Sequence, residues 1–496
     1  MTSINEAQQP PPPPSPRYHP IITLLLQPLQ WLSTLSTTFT PSFIYGVVLV
    51  YFLDHGFSGS YFRVVSDFYW KDVQKINPSH AQFFVGLYYI PWIMRPIWGL
   101  LTDVFPIMGY RRKPYFILSG IIGVFSTTVL MTDFTISSGL ALVCMVGISA
   151  GMAIGVVSID ACIAKNSIEV KELAADLQSL SAFFASLGAL VGFACSGIFV
   201  HRLGAQGALG LLAIPPASIL VLGFLIYDVR ITKGTRNHEG EKVGERVGKA
   251  MKNMYTTIRF PQVWKPSLFM FLSSALSYST HEGHFYWYTD SNAGPGFSKE
   301  FVGMIYAIGA VGSIIGIMIY HKFLKEFPFR SLLFSIQLLY AASGMLDLMF
   351  ILRWNLTLGI PDAFFIIMEE TILHIISRIR WMPMLVLSAR LCPSGIEGTF
   401  YALLMCIDSL GSLSAKMIGG LALHVLHVSR TDFTNLWLAV FIRNCLRFAT
   451  LSLIFLIPDA TQYDVLVPTT KSTSVTNIGV EDAALELLPL NEKLEI

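Results

Sequence analysis

The sharpest chemical signal in this chain is Glu370, His374 and Arg378, which stand at i, i+4 and i+8 within the apolar run 361–387. On a helix they form one stripe. A charge inside a membrane span costs about 2.5–3.5 kcal/mol on insertion scales, so such a stripe faces a cavity or other polar groups. A carboxylate beside an imidazole can pass a proton near neutral pH. The alternative is an internally neutralised packing stripe. No third ligand is spaced to make a metal site of Glu and His alone, so no metal or cofactor is expected.

Other ionisable residues interrupt apolar runs. Asp54 lies deep in the run 43–62, either for substrate or proton work or as a partner of Arg95. Asp160 lies nearer the edge of the run 137–164, with a proton-handling and a structural reading. Tyr286, Trp287 and Tyr288 end the run 266–288, where they form either an interfacial aromatic belt or a stacking platform for a flat ring. Glu282, His281 and His284 lie just inward of them. Arg63, Arg95, Arg378 and Arg443 are cations that an anionic ligand could meet inside the membrane, and residues alone do not rank them.

What must position these groups is a set of membrane helices. Hydrophobic residues make up 53% of the 496, charged residues 13%, and mean hydropathy is +0.57. Soluble domains carry about 25% charged residues. The apolar runs are each long enough to span about 30 Å of hydrocarbon. They predict an all-α polytopic protein of 12 transmembrane helices. The domain plan is a proline-rich, disordered tail with an interfacial helix over 1–40, a helical half over 41–229, a basic linker over 230–264, a second half over 265–457 and a disordered tail over 458–496. The polar stretch 66–80 is expected as a loop. Lys and Arg concentrate on the even-numbered connections, which places both termini in the cytoplasm.

The net charge of +2 gives no ground for nucleic-acid binding, and the cysteines lack metal or disulfide spacing. No nucleophile elbow or phosphate-cradling glycine loop is present, so an enzyme is not expected. Buried charges in two helical halves fit a secondary transporter with alternating access. A non-transporting receptor or scaffold is the reading from another class.

Between two of the runs lies a hairpin, PIWGLLTDVFPIMGYRRKPY (96–115), whose Gly99, Asp103 and Arg112 fall on or beside a basic turn. A degraded copy surrounds Gly316, with Tyr320 where the first copy has Asp103. The hairpin resembles the folate-biopterin transporter family of the major facilitator superfamily. So do IDACIAKNSIE (159–169), HEGHFYWYTDSNAGPGFSKE (281–300), LVLSARLCPSGIEGTFYALLMCIDSLGSL (385–413) and NLWLAVFIRNCLRF (435–448). The resemblance implies two pseudo-symmetric six-helix bundles, a lipid-embedded monomer and a folate or pterin substrate; another organic anion or amphiphile is the same-class alternative. A pterin's adjacent N–H donors would suit a carboxylate such as Glu282 beside Trp287, and folate's dianionic tail would suit arginine. The superfamily's inner latch carries over to Asp103 with Arg112. Glu397, in a capping-box position with Ser394, joins them as a third member. Uptake driven by protons would use Glu370, His374 and Asp160. Plasma membrane and endomembrane stay equally open.

Overall fold

The computed structural model describes residues 32–132, 136–170, 173–226, 228, 259–390 and 397–459; within these, the side chains of 103–104, 167–169, 174–175, 262, 389–390 and 397–402 are outside the description. Among the described residues the chain is helical and has no strand, apart from one isolated bridge between Ile107 and Tyr110.

The first span, α1, is α-helical over Pro41–Leu49 and Gly59–Phe68 and π-helical over Val50–Ser58 and Tyr69–Val73. The stretch expected as a loop is therefore helical as far as Val73. Phe68, Tyr69 and Trp70 bury their rings there, so packing extends the helix through polar sequence. The second span, α2, is broken into Pro78–Leu87, Ile90–Ile93 and Arg95–Val104, with Pro91 and Pro96 opening the later pieces. Then follow α3 (Lys113–Thr132), α4 (Ser138–Glu169), α5 (Ala174–Leu211) and α6 (Ile214–Leu225).

The seventh apolar run, expected as one helix, is two: α7 (Pro261–Leu276) and α8 (His281–Tyr288), separated by unwound Ser277–Thr280. Next come α9 (Lys299–Ile319), α10 (Phe329–Ile351), α11 (Asp362–Arg390), α12 (Glu397–Val425) and α13 (Leu436–Ala449). Among the described residues, six helical stretches are long and apolar enough to cross a membrane. One of them, Asp176–Leu225, is far too long for a single pass and turns back at Gly204, whose φ is 72°.

The same pairing recurs before and after the central stretch. α1 packs on α5 as α7 packs on α12; α2 packs on α4 as α9 packs on α11; and α3 contacts α4 and α6 as α10 contacts α11 and α13. Cross-contacts join the sets, chiefly α2 with α12 and α5 with α9, and also α2 with α8. Glycine allows close approach here: a Cβ on Gly197 of α5 would lie 2.2 Å from the Lys299 carbonyl oxygen.

One face, here the linker face, holds the turn after α2. There the backbone N–H of Arg112 donates to Asp228 at 2.8 Å, next to the end of α6. On the opposite face the two sets are tied together. Lys71 donates to the Tyr286 carbonyl at 3.3 Å and to the Thr289 hydroxyl, Arg430 donates to the Lys71 carbonyl at 3.2 Å, and Lys299 pairs with Asp72 at 2.9 Å.

Candidate substrate site

Two cavities of about 320 Å3 each open between the sets, and both have Arg63 and His281 in their walls. Small-molecule sites usually measure about 300–1,000 Å3, so either is large enough for part of a ligand and the pair for a long one.

The first cavity lies against the second set. Unwound Ser277–Thr280 forms one wall, Trp287, Tyr306 and Phe350 supply ring surface, and Glu370, Arg443 and Arg447 supply charge beside the imidazole of His374. The α11 stripe comes together as expected for its first two members: His374 Nε2 lies 3.1 Å from Glu370, and Ser313 faces Nδ1 at 3.2 Å. Gly309 makes room for that imidazole, since a Cβ there would stand 2.8 Å from its ring. Arg378, one turn further on, lies over Trp381 at 5.0 Å and outside both cavity linings.

Arg443 is at the cavity wall but already committed. It forms a buried ion pair with Asp347 of α10 and donates to the Thr280 hydroxyl at 2.8 Å. Arg447 is different, because its Nε and one Nη are buried without a hydrogen-bond partner while its guanidinium lies 4.3 Å from the Tyr340 ring centre.

The second cavity lies against the first set and is cationic. Arg63, Arg95 and Lys416 line it together with Trp92, Tyr88 and Asp67. Arg95 stacks on Trp92 at 4.3 Å, and Arg63 lies 5.6 Å from the Tyr306 ring. Stacking of this kind holds a guanidinium flat.

Other expected residues stand elsewhere. Asp54 is buried, with one oxygen unpartnered, beside a separate pocket of about 10 Å3; no contact with Arg95 brings it to the cavities. Asp160 accepts a hydrogen bond from Tyr51. Tyr286, Trp287 and Tyr288 are buried among the two sets rather than spread along a lipid interface, and Trp287 reaches the first cavity. Glu282 is fully buried behind the cavity walls, with its backbone N–H donating to Gln82 at 3.1 Å. Of the inner latch, the side chains of Asp103 and Glu397 lie outside the described residues, and Arg112 donates to the Thr102 hydroxyl at 2.6 Å.

Sequence reasoning missed Asp67, Asp347, Glu369, Lys416 and Tyr306. Arg63, Asp67 and Lys71 repeat at i, i+4 and i+8, the same stripe pattern seen on α11, but the reading of 66–80 as a loop hid it. Asp347 carries no local signal, because its partner is almost a hundred residues away. Outside the spans, Ala293 and Asn292 N–H groups hold the Asp290 carboxyl below its ordinary range, as Thr434 does for Asp432.

Comparison with known proteins agrees with this architecture. Residues 55–476 match the BT1 family. The chain is 58% identical over 452 residues to the probable folate-biopterin transporter 6 of Arabidopsis thaliana, covering 91% of this chain and 90% of that one. It is 32% identical over 399 residues to the folate-biopterin transporter of Synechocystis sp., covering 80% and 78%. Among solved structures, the nucleoside transporter NupG superposes with a TM-score of 0.62 at 10% identity, over 83% of this chain and 98% of that one. A D-xylose–proton symporter gives 0.57 at 14% identity, over 85% and 98%. At such identities the likeness is one of fold, the major facilitator fold of integral membrane transporters. With most of its length matched, the chain belongs to the BT1 family.

Proposed function

We propose that this protein carries folates or pterins across a membrane by alternating access, coupled to protons. The observation that carries the reading is the pair of adjacent cavities that share Arg63 and His281 as wall residues, one ring-lined and one cationic. A pterin ring fits the first. Trp287 and Tyr306 offer stacking faces, Glu370 can accept from adjacent ring N–H groups, and the free Arg447 N–H groups can donate to the ring carbonyl. The dianionic glutamate tail then extends past Arg63 toward Arg95 and Lys416. The names of the curated relatives support this substrate class.

Broken helices at a site between two pseudo-symmetric bundles are how such transporters expose polar backbone to a ligand, and Ser277–Thr280 has that place. Glu370 and His374 form the proton-handling pair. On the linker face, held to be cytoplasmic along with both termini, Asp103, Arg112 and Glu397 would close the cavity when the opposite face opens. The test is uptake of labelled folate and of a neutral pterin by proteoliposomes, with and without a proton gradient.

A further inference from the structure

Beneath the ties of the opposite face, a carboxylate cluster crosses from one set of helices to the other. Asp67 of α1 faces His281 and Glu282, the first residues of α8, and ligand-type atoms of all three lie within 4.8 Å of one another. His281 Nε2 lies 3.0 Å from Asp67 Oδ2. Asp67 Oδ1 and both carboxylate oxygens of Glu282 are buried with no hydrogen-bond partner. Gln82 does not supply one: its oxygen accepts from the Glu282 backbone, and its Nε2 is unpartnered.

Two facing carboxylates with empty lone pairs are a costly arrangement in a buried site. What they lack is a hydrogen between them. We infer that Asp67 and Glu282 share a bound proton, delivered through His281, and that this proton holds the opposite face of the transporter closed.

The delivery route follows from the walls, since His281 lines both cavities while Glu282 is sealed behind them. The closing action follows from the helices. Lys71 lies one turn beyond Asp67, and Tyr286 one turn beyond Glu282, so the hydrogen bond from Lys71 to the Tyr286 carbonyl continues the same seam. Between the two, Phe68 packs edge-on against Phe285 at 4.8 Å. A proton gives a carboxyl–carboxylate hydrogen bond across this seam. Its loss leaves two anions repelling each other across the same seam.

The neighbours of the cluster are Arg63 on α1, Tyr88 beside α2, His284, Tyr286 and Tyr288 on α8 itself, Tyr306 on α9, Glu370 on α11 and Lys416 on α12. Arg63 and Lys416 already bring two positive charges, so a proton fits where a divalent ion would be repelled. The inference deepens the proton-coupled reading above and does not depend on the identity of the cargo.

The test uses full-length protein in lipid nanodiscs, free of folate and with a chelator present, spin-labelled through Asn77→Cys and Thr431→Cys, exposed positions on the opposite face of the two sets. Distances are measured between about pH 5 and pH 8. The closed-to-open ratio should rise as pH falls, by up to about tenfold per unit, the limit for one proton. Asp67→Asn and Glu282→Gln should each remove that dependence, and Glu282→Asp should keep it as a control for folding. A wild type insensitive to pH, or Asn and Gln variants that respond like wild type, would overturn the inference. So would a metal retained stoichiometrically by the purified protein and lost in Glu282→Gln. Because the measurement contains no cargo, a failed folate uptake assay leaves it standing, and its own failure leaves the cargo assignment standing.

Discussion

Two buried acidic clusters stand beside the paired cavities and have opposite mechanical settings. Asp347, Glu369 and Arg443 belong to α10, α11 and α13 within one set of helices, so their ion pair moves as a unit when the sets rock. Asp67 and Glu282 belong to different sets, so any rocking must part them. The chemistry is similar, carboxylates out of water. The first cluster has a cation in direct contact and leaves one carboxylate oxygen, on Glu369, without a partner; the second leaves three. A charge pair inside one rigid body serves as scaffold, and one placed across the moving boundary can serve as a switch.

The comparison breaks most readily at Arg443. Arg443→Gln would leave Asp347 charged and buried, a loss of about 3–5 kcal/mol, seen as a lower thermal unfolding temperature in detergent. If the variant melts like wild type and loses only folate binding, Arg443 is a ligand contact and the scaffold reading fails. Arg63→Gln should act on cargo instead. Loss of a charged hydrogen bond of about 1.5–3 kcal/mol would weaken folate roughly 10- to 100-fold in competition binding, and a neutral pterin much less. Equal weakening of both ligands would place the tail elsewhere.

Asp103→Asn tests the linker face. A latch worth about 1–3 kcal/mol would, when broken, raise the labelling of a cysteine placed at Leu100; unchanged labelling with lost transport would move Asp103 to another role. His374→Ala should flatten the acid stimulation of uptake, whereas an unaltered pH profile would remove the pair from proton handling. The loop carboxyls cannot supply that profile. Asp290 and Asp432 are held below their ordinary values, so their contributions persist as pH falls and are lost only below about pH 4. The smallest effect is expected at Arg378, outside both cavities, where Arg378→Gln should leave folate affinity within about twofold, or about 0.5 kcal/mol.

Much of this site could be read from local spacing. The pairing of Glu370 with His374 is a property of helical period alone. Trp287 was legible as a possible stacking group, though only the fold decides that it faces a cavity instead of lipid. The break at Ser277–Thr280 was not legible, because it contains neither glycine nor proline. What stabilises it is tertiary: the Ser279 N–H donates to the Ala415 carbonyl of α12 at 3.1 Å. Asp67 was lost to a boundary error, since polarity beyond Phe62 resembled a loop while buried aromatics kept the helix going. The commitment of Arg443 to Asp347 needed the fold, because nothing in either neighbourhood points to the other.

The central claim is that a folate lies across both cavities with its tail at Arg63, and one measurement meets it directly. Proteoliposomes containing wild type or Arg63→Gln, checked for equal insertion, are given labelled folate or a neutral pterin with the outside acidified. The account predicts gradient-driven accumulation of both compounds by wild type, and selective loss of folate accumulation in the variant. Accumulation of neither compound by well-inserted wild type, or folate accumulation untouched by Arg63→Gln, would contradict it.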